Sequence, residues 1–187
     1  MRPTVVAAVC AAVLAVSAAP AADIPRKPPD FAVDLGGGKQ VKLSQYQGEL
    51  VALLFILTTC PHCQAAIRCL IQEQNQFGAR GFQALASAIE QDAPANVPAF
   101  VRQFQPPFPV GYNQLRPVQD FMQLPPMVGP RMPLVAFIDR QGIVRAQYGG
   151  NDAFFADDQM AKNIHLKIVE LLNGGVPAKK APAKKGG

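Results

Sequence analysis

Val51-Ala52-Leu53-Leu54-Phe55-Ile56-Leu57 runs into Thr58-Thr59 and then into Cys60-Pro61-His62-Cys63-Gln64-Ala65-Ala66-Ile67. Seven apolar residues in succession, with no polar alternation, predict a central strand covered on both faces, the strand type of an α/β sheet. Pro61 suits the first position of a helix, where its missing N–H is no loss. Beyond it, Cys63, Ile67, Leu70, Ile71 and Gln74 share one stripe, with Phe77 at its edge and Gly78 following. That periodicity predicts a helix that packs on the strand.

Working outward, Phe31 to Leu35, Gly36-Gly37-Gly38 and Val41 to Leu43 predict an N-terminal hairpin closed by a glycine turn. Phe82 to Ile89 is a second predicted strand, and Val97 to Phe104 a short helix. Ten of the 18 prolines lie between Pro94 and Pro133, which predicts stiff loops with short elements. Leu134 to Ile138 and Ile143 to Tyr148 flank Asp139-Arg140-Gln141-Gly142, a hairpin signal. A last helix carries the stripe Met160, Ile164, Ile168, Leu171 and Leu172, with Asp157 and Asp158 at its start. His165 borders that stripe and reads as a packing residue.

The chain of 187 residues has 18 Lys+Arg against 13 Asp+Glu. Every acidic residue lies between Asp23 and Glu170, and Lys179, Lys180, Lys184 and Lys185 stand near the end. Setting aside those lysines and Arg2 leaves 13 charges of each sign. The body is neutral and the basicity sits in a tail, so a nucleic-acid-binding face is excluded as a reading. An apolar content of 49% excludes wholesale disorder. The expected organisation is a signal peptide over 1–21, an extended leader without a core face over 22–30, one α/β domain over 31–173, and a flexible Lys/Ala/Pro/Gly tail over 174–187.

The export reading rests on Arg2, the apolar run Val5 to Val16, and Ala19-Pro20-Ala21 with cleavage after Ala21. Twelve apolar residues are too few to cross roughly 30 Å of hydrocarbon, so the chain is expected not to span a membrane once the signal is removed. Cys10 leaves with the signal. Cys60, Cys63 and Cys69 then remain in an oxidising compartment, periplasmic or otherwise exported: one pair and one leftover thiol.

The pair is Cys60 and Cys63. Cys60 takes the N-cap, beside the free N–H groups of the first turn, and that positive helix end favours thiolate, the nucleophile of disulfide exchange. Cys63 lies one turn deeper, close enough to close a disulfide, so Cys60 attacks and Cys63 resolves. His62 adds a group that stabilises the thiolate, and its removal is expected to shift the potential on the order of tens of millivolts. A zinc site needs a second pair, which does not follow, and Cys69 lies ~240° round the helix from Cys63. Haem attachment needs His directly after the second Cys, where Gln64 stands. Neither metal nor any other cofactor is expected beyond the Cys60–Cys63 disulfide itself.

Strand, Cys60-Pro61-His62-Cys63, helix, and then Met132-Pro133 leading into Leu134 to Ile138 and Asp139-Arg140-Gln141-Gly142 resemble the thioredoxin superfamily. More narrowly, the chain is similar to exported TlpA/ResA-like thiol–disulfide oxidoreductases from about Phe31 to Leu172. The resemblance implies a thioredoxin-like fold: a central mixed sheet flanked by helices, an N-terminal hairpin, and an insertion before the cis-proline strand. It also implies that Pro133 is cis beside the disulfide and that Met132 pairs with substrate backbone. Phe108-Pro109-Val110 resembles the strand within the insertion. The chain departs from the family at several points. Thr59 stands where Trp is common, Leu54 where thioredoxins bury an acid, and Gln64 to Ile67 where ResA-like proteins carry a Glu. The resolving thiol is thus left with His62 or water to take its proton.

The resemblance implies disulfide exchange with cysteine-containing exported proteins, and a membrane redox partner fits that role. The Pro-His dipeptide resembles the oxidising DsbA motif, whereas the framework resembles reductants. A peroxiredoxin-like thiol peroxidase is the alternative, although Leu57 stands where such sites carry Thr. A non-enzymatic metal- or haem-delivery chaperone needs a third convergent ligand.

Overall fold

The computed structural model describes residues 22–125, 127 and 129–174. The expected signal over 1–21 and the expected tail beyond Gly174 lie outside the described residues. Along the chain run β1 (Ala32–Gly36), β2 (Lys39–Lys42), β3 (Leu50–Ile56), α1 (Pro61–Phe77), β4 (Phe82–Ala88), α2 (Ala93–Phe104), β5 (Val110–Tyr112), α3 (Leu115–Met122), β6 (Leu134–Ile138), β7 (Val144–Tyr148) and α4 (Met160–Leu172).

The strands form one mixed sheet in the order β2-β1-β5-β4-β3-β6-β7. β3 pairs in parallel with β4 and antiparallel with β6, so it is central, and all seven of its residues are buried. Leu50, Ala52, Leu54 and Ile56 face one apolar cluster with Ile67 and Leu70 of α1 and Ile164 and Ile168 of α4. Val51, Leu53 and Phe55 face a second cluster with Phe31 and with Val118 and Phe121 of α3. The uninterrupted apolar run is the direct requirement of that two-sided cover. The β1–β2 turn holds Gly36, Gly37 and Gly38 at φ of 82°, 60° and 75°, a region where side chains are strained.

Gln74, on the predicted stripe of α1, works through its amide. Its Nε2–H donates to the Phe82 carbonyl at 3.1 Å, and its Oε1 accepts from the Ala84 N–H at 2.7 Å. Those bonds fix α1 against β4 and so set where the start of α1 sits.

Two helix starts differ from those expected, and one helix is additional. α2 starts at Ala93, not Val97, and α3 was not expected at all. Pro94 and Pro117 fall in the first turns, where N–H groups have no intrahelical partner, while Pro98 lies inside α2, which continues through it to Phe104. α4 starts at Met160 and has no acidic residue in its first turn, so Asp157 and Asp158 precede the helix. The leader is docked: Arg26 exchanges two backbone hydrogen bonds with Val144, and its guanidinium donates to the Phe121 carbonyl at 2.6 Å and to Gln147 Oε1 at 2.9 Å.

Candidate functional site

β3 delivers the chain to the loop Leu57-Thr58-Thr59, and α1 begins immediately after it. The Cys60 N–H donates to the Leu57 carbonyl at 3.1 Å, and the Gln64 N–H donates to the Cys60 carbonyl at 3.0 Å, closing the first helical turn. Cys60 takes extended backbone angles at the N-cap, with Pro61 inside the first turn. Its sulfur accepts the Cys63 N–H at 3.4 Å, one of the otherwise unpaired donors of the helix start. The two cysteines approach to 3.1 Å and both are free thiols. They are not equivalent. Cys60 is partly exposed and Cys63 fully buried, and burial pushes the Cys63 thiol well above the ordinary cysteine range.

His62 is turned outward. Its Nε2 engages Asp157 Oδ1, on the segment before α4, with the two side chains 39% and 86% exposed. Asp157, read from the sequence as a helix-start residue, is instead the partner of His62.

Met132 and Pro133 enter from β6. Leu134 pairs with Phe55 near the end of β3, which brings the Met132-Pro133 peptide to the same end of the sheet as Cys60. That peptide is cis; so is Ile24-Pro25, in the leader. Pro133 is buried and Met132 partly buried. Gly150 backs them: a Cβ there would lie 2.5 Å from the Met132 carbonyl oxygen, so only glycine fits.

A carboxylate not singled out in the sequence lies below the cysteine loop. Glu90 Oε1 accepts the Thr58 N–H at 2.9 Å and the Thr58 hydroxyl, while Gln64 Nε2–H donates to the Thr58 carbonyl at 2.9 Å. Thr58 is buried. The parallel register Ile56↔Ala88, continued two residues beyond the strands, sets Thr58 opposite Glu90. That register was the signal available in the sequence, and it becomes usable only once β3 and β4 are known to be parallel neighbours. Glu90 also lines a surface cavity of about 460 Å³ with Ala93, Pro94, Tyr112 and Leu115.

The remaining thiol and histidine stand apart. Cys69 is partly buried against the core, and burial raises its thiol, with the nearby Glu73 charge adding to the shift. His165 Nδ1 lies 3.2 Å from both oxygens of Glu73, and its ring lies 5.6 Å from that of Phe77. It therefore holds α4 to α1 by a polar bond as well as by packing.

The AhpC/TSA family matches residues 24–147, well over half of the chain. No curated protein matches. Among solved structures, the chain is similar to one named thiol:disulfide interchange protein DsbE, from Chlorobium tepidum. The two are 28% identical with a TM-score of 0.59, over 78% of this chain and 98% of that one. A thioredoxin-family thiol:disulfide interchange protein from Chlorobium tepidum TLS superposes with a TM-score of 0.64 at 22% identity, over 81% and 99% of the two chains. A thioredoxin from Neisseria meningitidis gives 0.59 at 24%, over 76% and 89%. The last two likenesses concern the fold.

Proposed function

The chain belongs to the AhpC/TSA family with a thioredoxin-like fold, and from that premise we propose that it is an exported thiol–disulfide oxidoreductase exchanging disulfides with protein cysteines. Family and fold are those of an oxidoreductase. The observation that carries the finer reading is the pair itself: a partly exposed sulfur at a helix N-cap, accepting a backbone N–H, with a buried second thiol in contact.

In this reading the Cys60 thiolate attacks a substrate disulfide, forms a mixed disulfide and expels one substrate sulfur as thiolate. Cys63 then attacks Cys60 Sγ, the mixed disulfide breaks, and the second substrate sulfur leaves. Run in reverse, the Cys60–Cys63 disulfide oxidises a substrate dithiol. The electrons reside in the cysteine pair, and the reading calls on no metal or other cofactor. Pro61 sets the helix start, His62 adds charge beside the thiolate, and Met132 with Pro133 offers the extended-backbone docking edge for a cysteine-bearing exported protein. A membrane redox protein would renew the pair. Among the described residues no helix is long and apolar enough to cross a membrane.

Substrate trapping tests the assignment. Cys63→Ser should accumulate mixed disulfides on Cys60, and Cys60→Ser should trap little and exchange nothing. Trapping by Cys60→Ser alone would overturn it. Peroxide consumption comparable to the exchange rate would favour the peroxidase reading that the family also contains. Exported material starting at Ala22 or Asp23 is expected, and an intact Met1 there would refute the export signal. Equilibration of the pair with glutathione sorts oxidant from reductant.

A further inference from the structure

β3 has a neighbour on each side, β6 on one and β4 on the other. The Met132-Pro133 peptide precedes β6 and Glu90 follows β4, so both stand at the end of the sheet where β3 delivers Cys60. The docking edge thus lies on one side of the cysteine loop, and the surface cavity that Glu90 lines lies on the other. Ile89, Ala93, Pro94, Tyr112 and Leu115 give this cavity of about 460 Å³ apolar walls, and Leu115 is exposed. Glu90 joins the cavity to the cysteine loop. Its Oε1 accepts the N–H of Thr58, two residues before Cys60, at 2.9 Å, and also the Thr58 hydroxyl. Its Oε2 has no hydrogen-bond partner among the described residues, and none of the residues lining the cavity is basic. Arg116, next to Leu115, is paired with Asp120 on its own helix. The carboxylate therefore has neutral donors on one oxygen only and no cation to balance it, an arrangement that costs free energy until a positive group comes near.

We propose that this cavity is a substrate subsite that receives a lysine or arginine side chain flanking the cysteine of the partner protein, its stem against the apolar walls and its cationic head facing Glu90. The proposal rests on the exchange reading and deepens it by naming the class of substrate. Lysine and arginine combine a long apolar stem with a positive head, the two properties the walls and the carboxylate call for. The reach is right as well. Neighbouring strands lie about 4.8 Å apart and an extended chain advances about 3.3 Å per residue, so a peptide that pairs with Met132 and sets its cysteine over Cys60 reaches the end of β4 about two residues farther on. A leucine or phenylalanine there would fill the walls and leave the Glu90 charge unbalanced, and an acidic side chain would meet a like charge. Glu90 is thus a specificity-determining residue that takes no part in the exchange of sulfurs, and Thr58 fixes where its carboxylate stands.

The test uses short capped peptides with a central cysteine, dimerised through it, that differ only at the positions two before and two after: lysine, norleucine or glutamate. Norleucine keeps the lysine stem and lacks the ammonium. The reduced full chain is mixed with each peptide disulfide, and the rate of peptide thiol release is divided by the rate with dithiothreitol. That ratio removes the effect of the flanking charge on the intrinsic reactivity of the disulfide. The lysine peptide should react about 5-fold faster than the norleucine peptide, the upper range for a partly exposed charge pair, and the glutamate peptide slowest. Glu90→Gln keeps the acceptor for Thr58 and removes the charge, so it should bring the lysine and norleucine rates together. Equal rates for those two peptides in the unaltered protein overturn the proposal, a comparison that stands even if the variant does not fold. So does a lysine preference that survives undiminished in folded Glu90→Gln, which marks attraction to the surface as a whole. Absence of exchange with every peptide in the unaltered protein would overturn the exchange reading itself and the proposal with it.

Discussion

Replacing His62 by Ala separates two sources of thiolate stabilisation. The Cys60 sulfur accepts the Cys63 N–H at 3.4 Å, a bond that His62→Ala leaves intact, since the helix start and its unpaired donors are backbone features. The imidazole, when protonated, acts through its charge from the outside, against an Asp157 that is 86% exposed. Pairs this open contribute about 0.2–1 kcal/mol once solvent screening is allowed for. At about 30 mV per 1.4 kcal/mol for a two-electron couple, the shift is about 5–20 mV, at or below the bottom of the range read from the motif alone. Its sign is towards a more reducing pair, because removal of His62 takes away the positive charge the ring carries when protonated and leaves the Asp157 carboxylate without that partner. Asp157→Asn should move the potential the opposite way, and the double variant should return close to the parent. The assay is equilibration against a glutathione series at low and at moderate salt, where the shift should shrink as salt rises. A shift beyond about 60 mV, a shift towards oxidation, or none at all would refute the screened-pair reasoning.

Glu73 gives a pH-dependent expectation. Its carboxyl is raised by burial, with the His165 contact acting against that shift. A raised carboxyl contributes stability that is full below the ordinary carboxylate range and is lost as pH rises through the folded value. Glu73→Gln should therefore gain stability relative to the parent, by urea denaturation, between pH 4 and pH 7; loss of ground over that interval would contradict it. Cys69 packs against the core apart from the Cys60–Cys63 contact, so Cys69→Ser should leave the exchange rate near that of the parent. A folded Cys69→Ser protein without exchange activity would place that thiol in the reaction.

Local patterns were enough for the elements that carry the cysteines. The run Val51 to Leu57, the Cys60-Pro61 helix start and the α1 stripe each follow from neighbours within about four residues, the range over which helix and strand periodicities act. Sequence alone thus determined a central strand feeding a helix with a cysteine at its cap, and resemblance extended this to the mixed sheet and the Met132-Pro133 edge. The prolines of α2 and α3 misled because Pro94 and Pro117 fall inside the first turn and Pro98 is carried within α2, none of which a count of prolines reveals. What only the tertiary structure decided is which polar group meets which: Thr58 with Glu90, 32 residues on, His62 with Asp157, 95 apart, and Glu73 with His165, 92 apart. Those pairings depend on the parallel register of β3 with β4 and on the packing of α1 against α4. A polar side chain at the end of a strand carries no local mark of its partner, because the partner is chosen by the geometry of the sheet and not by the residues beside it in the chain.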